Sequence, residues 1–461
     1  MFIHSRFVIV DDKETHLDGI KKSLDFLRLD CHSKLYSDET VADWQKLPGM
    51  RILFLDQNLI TGATFGGETK VAFAALADVV FKLVCPESGP YGLILWAEQP
   101  DLEALKDSFF ERFTGEDAQL LPVFFTSLRK GDYINTNTGE IVDAQKLQVD
   151  IQDRISQSPQ LNALLSWEAD VSAAMDAVLR SVVNLIPDDD RASDNFGPEL
   201  GKVFYRLSQA GAGIERATES PREAINRVLV PILADRIIEH DPSSGNNFDW
   251  QTALVDPTES PSVPAQASVN SAIHLSFARS EGSAPIKATD LGAVVQIPDN
   301  DVSGFLAGQF GLTEAEFLAE IFKVNEEEWK DCRARMVQIG APCDFAQPKP
   351  GPLLYLFAVE WPFANSDGCK NQGADPKRNL SVDTKRKPKD LEWQSPILQF
   401  EDGLNAGRIS IFKNLAISIT RKDAEESLTP LYRFRDEIIS QITHSYSRHI
   451  SRTGIVTLPE R

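Results

Sequence analysis

The sequence predicts an α/β fold: an N-terminal doubly wound, five-stranded parallel sheet, then a helical segment and a C-terminal α+β domain. Two observations lead to this prediction. Short apolar runs without polar alternation, which are typical of strands buried on both faces, recur through the first third of the chain. Stretches with apolar residues at helical spacing separate these runs. Beyond about residue 140 the pattern becomes helical and then mixed.

Four apolar runs and one short mixed segment mark the strands of the predicted sheet. The runs are Phe7–Val10, Ile52–Leu55, Gly92–Trp96 and Pro122–Thr126, and the mixed segment is Ser33–Tyr36. The first is followed by Leu17, Ile20, Leu24 and Leu27, which share one helical face. Because neighbouring parallel strands need a crossover connection, usually a helix, this alternation indicates a parallel sheet.

Carboxylates stand at the ends of two of these runs. Asp11 and Asp12 follow the first run, and Asp56 follows the third. The carboxyl ends of parallel strands meet at one edge of a sheet, where ligands bind in open α/β folds. Three carboxylates there repel one another unless a cation neutralises them, and oxygen ligands favour Mg²⁺. The sequence therefore predicts a Mg²⁺ site with Asp56 as a nucleophile toward a phosphoryl group.

These carboxylates, in this order and in a βα context, resemble the receiver domain of two-component response regulators over roughly residues 5–135. The resemblance implies that Asp56 accepts a phosphoryl group from a histidine kinase. It implies that Asp11 and Asp12, together with Asp56, hold Mg²⁺, and that Asn58 offers its backbone carbonyl to the metal. It also implies that Lys130 balances the charge of the phosphoryl oxygens.

Two positions depart from the pattern of that family. Trp96 stands at the end of the fourth strand, where receivers carry a serine or threonine whose hydroxyl drives the switch. Gly131 follows Lys130, where the family has a proline. We therefore expect metal and phosphate binding without the usual hydroxyl switch, and we expect Trp96 to be a packing residue.

Four segments are expected along the chain. Residues 1–140 form the receiver-like domain, 144–255 a helical domain or linker bundle, and 256–290 a linker. Residues 291–461 form the C-terminal α+β domain, which ends in a long helix over about 422–449. The apolar stripe of that helix suggests docking on its own domain or pairing with another chain, including a second copy of this protein.

Composition narrows the classes of function. The formal net charge of −21 disfavours broad electrostatic binding to nucleic acid or to anionic membranes. We expect no transmembrane helix, because no apolar run reaches about 18 residues, and no signal peptide, because an apolar core is missing near the N-terminus. The five cysteines form no C-x-x-C pair. These features predict a cytoplasmic protein.

Two classes of function compete. The first is a phosphoacceptor signalling protein that acts as a regulator, scaffold or phosphate buffer. Its architecture resembles components of bacterial antiphage phosphorelays, and its chemistry would be limited to phosphotransfer and autodephosphorylation. The second is an effector enzyme, with a hydrolase-like C-terminal domain gated by a receiver-like module that no longer accepts phosphate. Its candidate residues are Cys343, Asp344 and His274, and their spacing matches no hydrolase motif that we sought.

Overall fold

The computed structural model places most of the chain in two compact units. The first comprises Met1–Asp176 and Ile237–Val255, and the second comprises Ala177–Arg236 and Asp256–Arg461. The described residues are 6–27, 29–59, 69–239, 250–256, 262–277, 285–297, 301–322, 332–342, 345, 351–362, 391–400 and 406–451. The four segment boundaries expected from the sequence remain predictions.

A five-stranded parallel sheet forms the centre of the first unit, as the sequence predicts. Its strands are β1 (Phe7–Asp11), β2 (Cys31–Leu35), β3 (Ile52–Asp56), β4 (Gly92–Ala97) and β5 (Phe124–Arg129). The strand order is β2-β1-β3-β4-β5, and all neighbouring pairs are parallel. This is the doubly wound order of the flavodoxin-like fold, in which β1 and β3 flank the point where the winding reverses.

Alternate side chains of these strands enter two separate cores, one on each face of the sheet. Leu53 and Leu55 pack with α3 (Thr69–Leu83) and α4 (Leu102–Arg112) on one face. Phe54 packs with α1 (Glu14–Phe26) on the other face. A strand covered on both sides needs apolar residues at every position, which explains the unbroken apolar runs in the sequence.

Helices make up most of the chain between the two sheets. In addition to a short α2 (Asp38–Val41) in the first unit, they are α5 (Ala144–Ser156), α6 (Pro159–Val183), α7 (Asp188–Arg191), α8 (Phe196–Glu219), α9 (Pro221–Ile238) and α10 (Val263–His274). Pro159 and Pro221 each open a helix at the first position, where the missing N–H costs nothing. Within the described ranges, no helix combines the length and the apolar composition needed to cross a bilayer.

The second unit contains an eight-stranded antiparallel sheet. Its strands are β6 (Leu275–Ser276), β7 (Ala293–Gln296), β8 (Arg333–Ile339), β9 (Leu353–Pro362), β10 (Glu392–Gln394), β11 (Leu398–Gln399), β12 (Ala406–Ile419) and β13 (Thr429–Phe434). Seven follow the order β10-β12-β9-β8-β7-β13-β6, and β11 pairs with β12. Together with α11 (Val302–Phe310), α12 (Arg421–Ser427) and α13 (Asp436–Ile450), the sheet confirms a C-terminal α+β fold.

Thr313 and Glu316 form a capping box in the C-terminal unit. Thr313 Oγ1 accepts from the backbone N–H of Glu316 at 3.1 Å, and the Glu316 carboxylate accepts from the backbone N–H of Thr313 at 2.8 Å. The residues that follow wind into a π-helical turn, Glu316–Ile321.

The prediction of one continuous helix over about 422–449 is wrong. The chain forms α12, then strand β13, then α13. Pro430 explains the interruption, because proline has no N–H and disfavours the helical conformation of the residue before it. The ladder between β13 and β7 shifts register between Pro430 and Tyr432, which accommodates the missing donor. Helical periodicity continued across this proline in the sequence, but the backbone does not follow it.

A buried ion pair and a hydrogen bond to the same carboxylate link three strands of the antiparallel sheet. Glu360 on β9 accepts a hydrogen bond from the Tyr432 hydroxyl at 2.8 Å and lies 3.0 Å from a guanidinium nitrogen of Arg335 on β8. Both Glu360 and Tyr432 are almost fully buried. Burial, followed by the nearby charge of Glu360, raises the pKa of Tyr432 well above its usual value.

Replacing Tyr432 by phenylalanine is expected to lower the free energy of unfolding by about 1–2 kcal/mol, because a buried carboxylate oxygen loses its donor. Urea unfolding of the full chain measures this change. Tyr446→Phe is the matched control, since the structure shows no hydrogen bond from that hydroxyl to any described residue, and it should change stability by less than about 0.5 kcal/mol. Equal losses in the two variants would contradict the role given to the Tyr432–Glu360 bond.

Candidate functional site

Four predicted site residues meet at the carboxyl edge of the parallel sheet. Asp11 is the last residue of β1, and Asp12 follows it. Asp56 is the last residue of β3, and Lys130 follows the end of β5. Because β1 and β3 are adjacent, their terminal carboxylates share the crevice at the reversal point of the sheet.

The Lys130 ammonium lies between two buried carboxylates. Its Nζ is 2.6 Å from Asp11 Oδ2 and 2.8 Å from Asp56 Oδ2. The side chains of Lys130, Asp11 and Asp56 are each less than 5 % exposed. Ion pairs at this depth are weakly screened, and each partner depends on the others for its charge balance.

The carboxyl groups of Asp11, Asp12 and Asp56 lie close enough together to hold one cation. One oxygen from each lies within 4.8 Å of the others. Oxygens on opposite sides of a Mg²⁺ ion lie about 4 Å apart, so small side-chain movements would bring this set into a coordination shell. The donor set contains only oxygen, which suits Mg²⁺. Asn58 contributes a backbone N–H, which donates to Asp56 Oδ1 at 3.2 Å.

The electrostatics show that the site carries more negative charge than Lys130 balances. Burial, reinforced by the charge of Asp11, raises the pKa of Asp56 to about 6. Burial and the same neighbour raise the pKa of Asp12. Burial also opposes ionisation of Asp11, but hydrogen bonds from His16 and Lys130 and the charge of Lys130 lower its pKa overall. Two of the three carboxyl groups would therefore ionise more readily if a cation were present.

His16 is a member of this cluster that sequence reasoning missed. Its Nε2 donates to the Thr136 carbonyl at 2.9 Å, and its Nδ1 lies 3.2 Å from Lys130 Nζ and 3.3 Å from Asp11 Oδ1. A hydrogen bond to Asp11 is the main reason that the pKa of His16 is raised. The signal in the sequence was its place four residues before Ile20, on the buried stripe of α1.

A close backbone approach brings the Thr136 carbonyl to His16. Gly139 has φ of +72°, and a Cβ there would lie 2.2 Å from the Thr15 carbonyl oxygen. A Cβ on Gly19 would lie 2.5 Å from the Gly139 carbonyl oxygen. Glycine at both positions therefore allows the turn after β5 to lie directly on α1.

Trp96 lies beside Asp56 but is packed away from solvent. It pairs in register with Asp56 and is fully buried. Its ring stacks on Tyr133 at 5.6 Å between centroids and meets Phe54 edge-on at 6.0 Å. Its indole Nε1 has no hydrogen-bond partner among the residues that the structure describes. This environment fits the packing role expected from the sequence.

The residues considered for an effector enzyme do not form a described site. Cys343 and Asp344 lie outside the described residues. His274 ends α10, where its backbone carbonyl accepts from the Arg435 N–H at 2.9 Å.

Comparison with known proteins found no matching family model and no similar curated protein. Two solved response regulators align with 51 % of this chain at 13 % identity. Full-length FixJ from B. japonicum is covered over 98 % of its length with a TM-score of 0.20. The response regulator StyR is covered over its full length with a TM-score of 0.18. At these scores the alignments carry no argument, so the fold of the first unit is described from its strand order alone.

Proposed function

We propose that this protein is a phosphoacceptor of a two-component-like relay, and that Asp56 takes a phosphoryl group from a histidine kinase. The observation that carries the proposal is the Lys130 ammonium held between Asp11 and Asp56, with Asp12 completing a three-carboxylate cluster. A phosphoryl acceptor needs a carboxylate nucleophile with positive charge placed beside the incoming oxygens, and this edge of the sheet has both.

The transfer step uses residues of this cluster. A carboxylate oxygen of Asp56 attacks phosphorus, and the bond from phosphorus to the donor's imidazole nitrogen breaks. The electron pair of that bond stays on the imidazole, and Asp56 becomes an acyl phosphate. Lys130 exchanges its contact with the Asp56 carboxylate for one with a phosphoryl oxygen, and Asp11 holds its ammonium in place. Asp11, Asp12, Asp56 and the Asn58 carbonyl would hold Mg²⁺, which neutralises charge on the transferred oxygens.

In this proposal, phosphorylation does not act through the hydroxyl switch that ordinary receivers use. Trp96 occupies the position of the switching hydroxyl, and its side chain is locked between Phe54 and Tyr133. Tyr133 is itself held by a hydrogen bond from its hydroxyl to Asp150 on α5 at 2.6 Å. We therefore propose that the chain acts as a scaffold or phosphate buffer, with protein partners bound through the C-terminal domain.

Incubation with acetyl phosphate and Mg²⁺ tests the proposal. The wild-type protein should gain the mass of one phosphoryl group, and Asp56→Asn should gain none, because an amide cannot form the acyl phosphate. Asp107→Asn, an exposed change on α4, is the matched control and should be labelled like wild type. Beryllofluoride binding gives an independent readout of the same site. A wild-type protein that shows neither response, or labelling that persists in Asp56→Asn, would refute the proposal.

A further inference from the structure

A second candidate binding site lies in the C-terminal unit. It is a cavity of about 360 Å³, which falls in the size range of small-molecule sites. Its walls come from the C-terminal end of α8, the N-terminal end of α9, the turn before β7, and the segment from α12 to α13. The residues that line it and carry the following argument are Arg216, Arg227, Lys287, Arg421, Arg433 and Asp436.

The lining of this cavity is slightly basic although the chain is strongly acidic. Five basic side chains line it, against a formal net charge of −21 for the protein. Four acidic side chains share the walls, so the lining carries one net positive charge. Glu223 accepts from Arg216 at 2.9 Å and from Arg227 at 3.0 Å, and Asp290 accepts from the Lys287 backbone N–H at 2.9 Å.

Two of these arginines, Arg421 and Arg433, are not engaged by side chains of the described residues. Neither guanidinium forms an ion pair or a side-chain hydrogen bond with any residue in the described part of the chain. The Nε of Arg421 is buried, and so are the Nε atoms of Arg216 and Arg227; none of the three has a hydrogen-bond partner there. The remaining N–H groups of Arg421 and Arg433 are therefore available to donate to an acceptor-rich ligand.

The start of α13 adds a further source of positive potential. Asp436, Ile439 and Ser440 from its first turns line the cavity. Arg435 occupies the N-cap position and supplies no side-chain acceptor for the exposed N–H groups. The amino end of a helix attracts anions through these N–H groups and the helix dipole, and here it adds to the arginine cluster.

We propose that this cavity binds a small phosphorylated molecule of about mononucleotide size. The planar forks of Arg421 and Arg433 would bind the phosphate, since guanidinium groups match phosphate oxygens in pairs. Leu291, Phe345 and Ile439 supply an apolar wall for the rest of the molecule. The exposed Asp436 carboxylate can accept from a hydroxyl or amino group of the ligand. This site uses none of the residues around Asp56.

Isothermal titration calorimetry of the full chain with AMP, adenosine and inorganic phosphate tests the assignment. AMP should bind more tightly than inorganic phosphate, and adenosine should bind at least about tenfold more weakly than AMP, because it lacks the anionic group. The double variant Arg421→Gln/Arg433→Gln should bind AMP at least about tenfold more weakly than wild type. Asp56→Asn should bind AMP like wild type, which separates this site from the proposed phosphoacceptor.

The double variant Lys422→Gln/Arg448→Gln is the matched control. It removes the same charge from α12 and α13 at two exposed positions that do not line the cavity. Its AMP affinity should stay within about twofold of wild type. Circular dichroism establishes that both double variants are folded. Absence of AMP binding to the wild type, equal binding of adenosine and AMP, or equal weakening in the two double variants would each overturn the proposal.

Discussion

Replacing Lys130 by methionine is expected to lower the free energy of unfolding by about 3 kcal/mol at pH 8 in the absence of divalent metal, because removal of one partner leaves buried charge uncompensated. The Nζ of Lys130 contacts both Asp11 and Asp56, and no other described lysine or arginine lies within 4.0 Å of either carboxylate. Methionine keeps most of the volume of the lysine side chain, so the loss reports on charge more than on packing.

The pH dependence of this loss follows from the pKa values of the carboxyl groups. Burial raises the pKa of Asp56 to about 6, and the pKa of Asp12 is raised as well. At pH 5 Asp56 is mostly protonated, so less negative charge is left uncompensated when Lys130 is removed. The difference between wild type and Lys130→Met should therefore shrink as the pH falls from 8 to 5.

Denaturant unfolding at pH 8, 6.5 and 5 measures the effect of Lys130→Met. Arg129→Met is the matched control, because its exposed pair with Glu98 is worth less than about 1 kcal/mol. Mg²⁺ should restore part of the stability that Lys130→Met loses, since the cation takes over the neutralisation of the carboxylates. A loss that equals that of the control, or one that does not change with pH, would contradict charge balance by Lys130.

The substitution Asp56→Asn is expected to change stability in the opposite direction. The pKa of Asp56 rises from 3.8 to about 6 on folding. A pKa raised in the folded state means that its stabilising contribution is complete below about pH 4 and is lost as the pH rises through 6. At about 1.4 kcal/mol per pKa unit, the asparagine variant should be more stable than wild type by up to about 3 kcal/mol at pH 8 without metal.

Unfolding curves for wild type and Asp56→Asn between pH 4 and pH 8 test this expectation. The gap should open between pH 4 and 6 and stay constant above about pH 7. Mg²⁺ should narrow the gap at pH 8, because it binds the ionised carboxylate of wild type. Lys130 keeps its 2.6 Å pair with Asp11 in the variant. If the variant were less stable than wild type at pH 8, the attraction between Lys130 and Asp56 would outweigh the cost of burial, and this account of the site would be wrong.

These two predictions connect stability with the proposed function. The Asp56 carboxylate is held in a place that disfavours its charge, and the lysine that stabilises it is the residue that the proposal assigns to the phosphoryl oxygens. Stored electrostatic repulsion of this kind is common at sites whose ligand is a cation. A protein selected only for stability would carry a neutral residue at position 56.

Local pattern was sufficient to predict the parallel sheet and three of its edge carboxylates. Apolar runs at Phe7–Val10 and Ile52–Leu55 showed strands buried on both faces, and Asp11, Asp12 and Asp56 followed directly. Lys130 came from the resemblance to receivers, and the structure places its ammonium between the predicted carboxylates. These inferences succeed because the carboxyl ends of parallel strands must share one edge, so order along the chain translates into position in space.

Features that depend on contacts between distant segments were not accessible from the sequence. In the sequence, His16 is a single polar residue on an apolar helix face. Only the structure shows that the Thr136 carbonyl and Lys130 lie next to it. The end of the chain read as one helix, because helical periodicity continued past Pro430, whereas pairing with β7 makes that segment a strand.

The arginines of the C-terminal cavity are another feature that the sequence alone does not reveal. Arg216 and Arg421 are separated by some two hundred residues, and no local pattern relates them. The sequence by itself determined the parallel sheet and its acidic edge, because these follow from side-chain periodicity and strand direction. Only the tertiary structure decided which charges lie together and which stay unpaired, because burial and distance set the strength of each interaction.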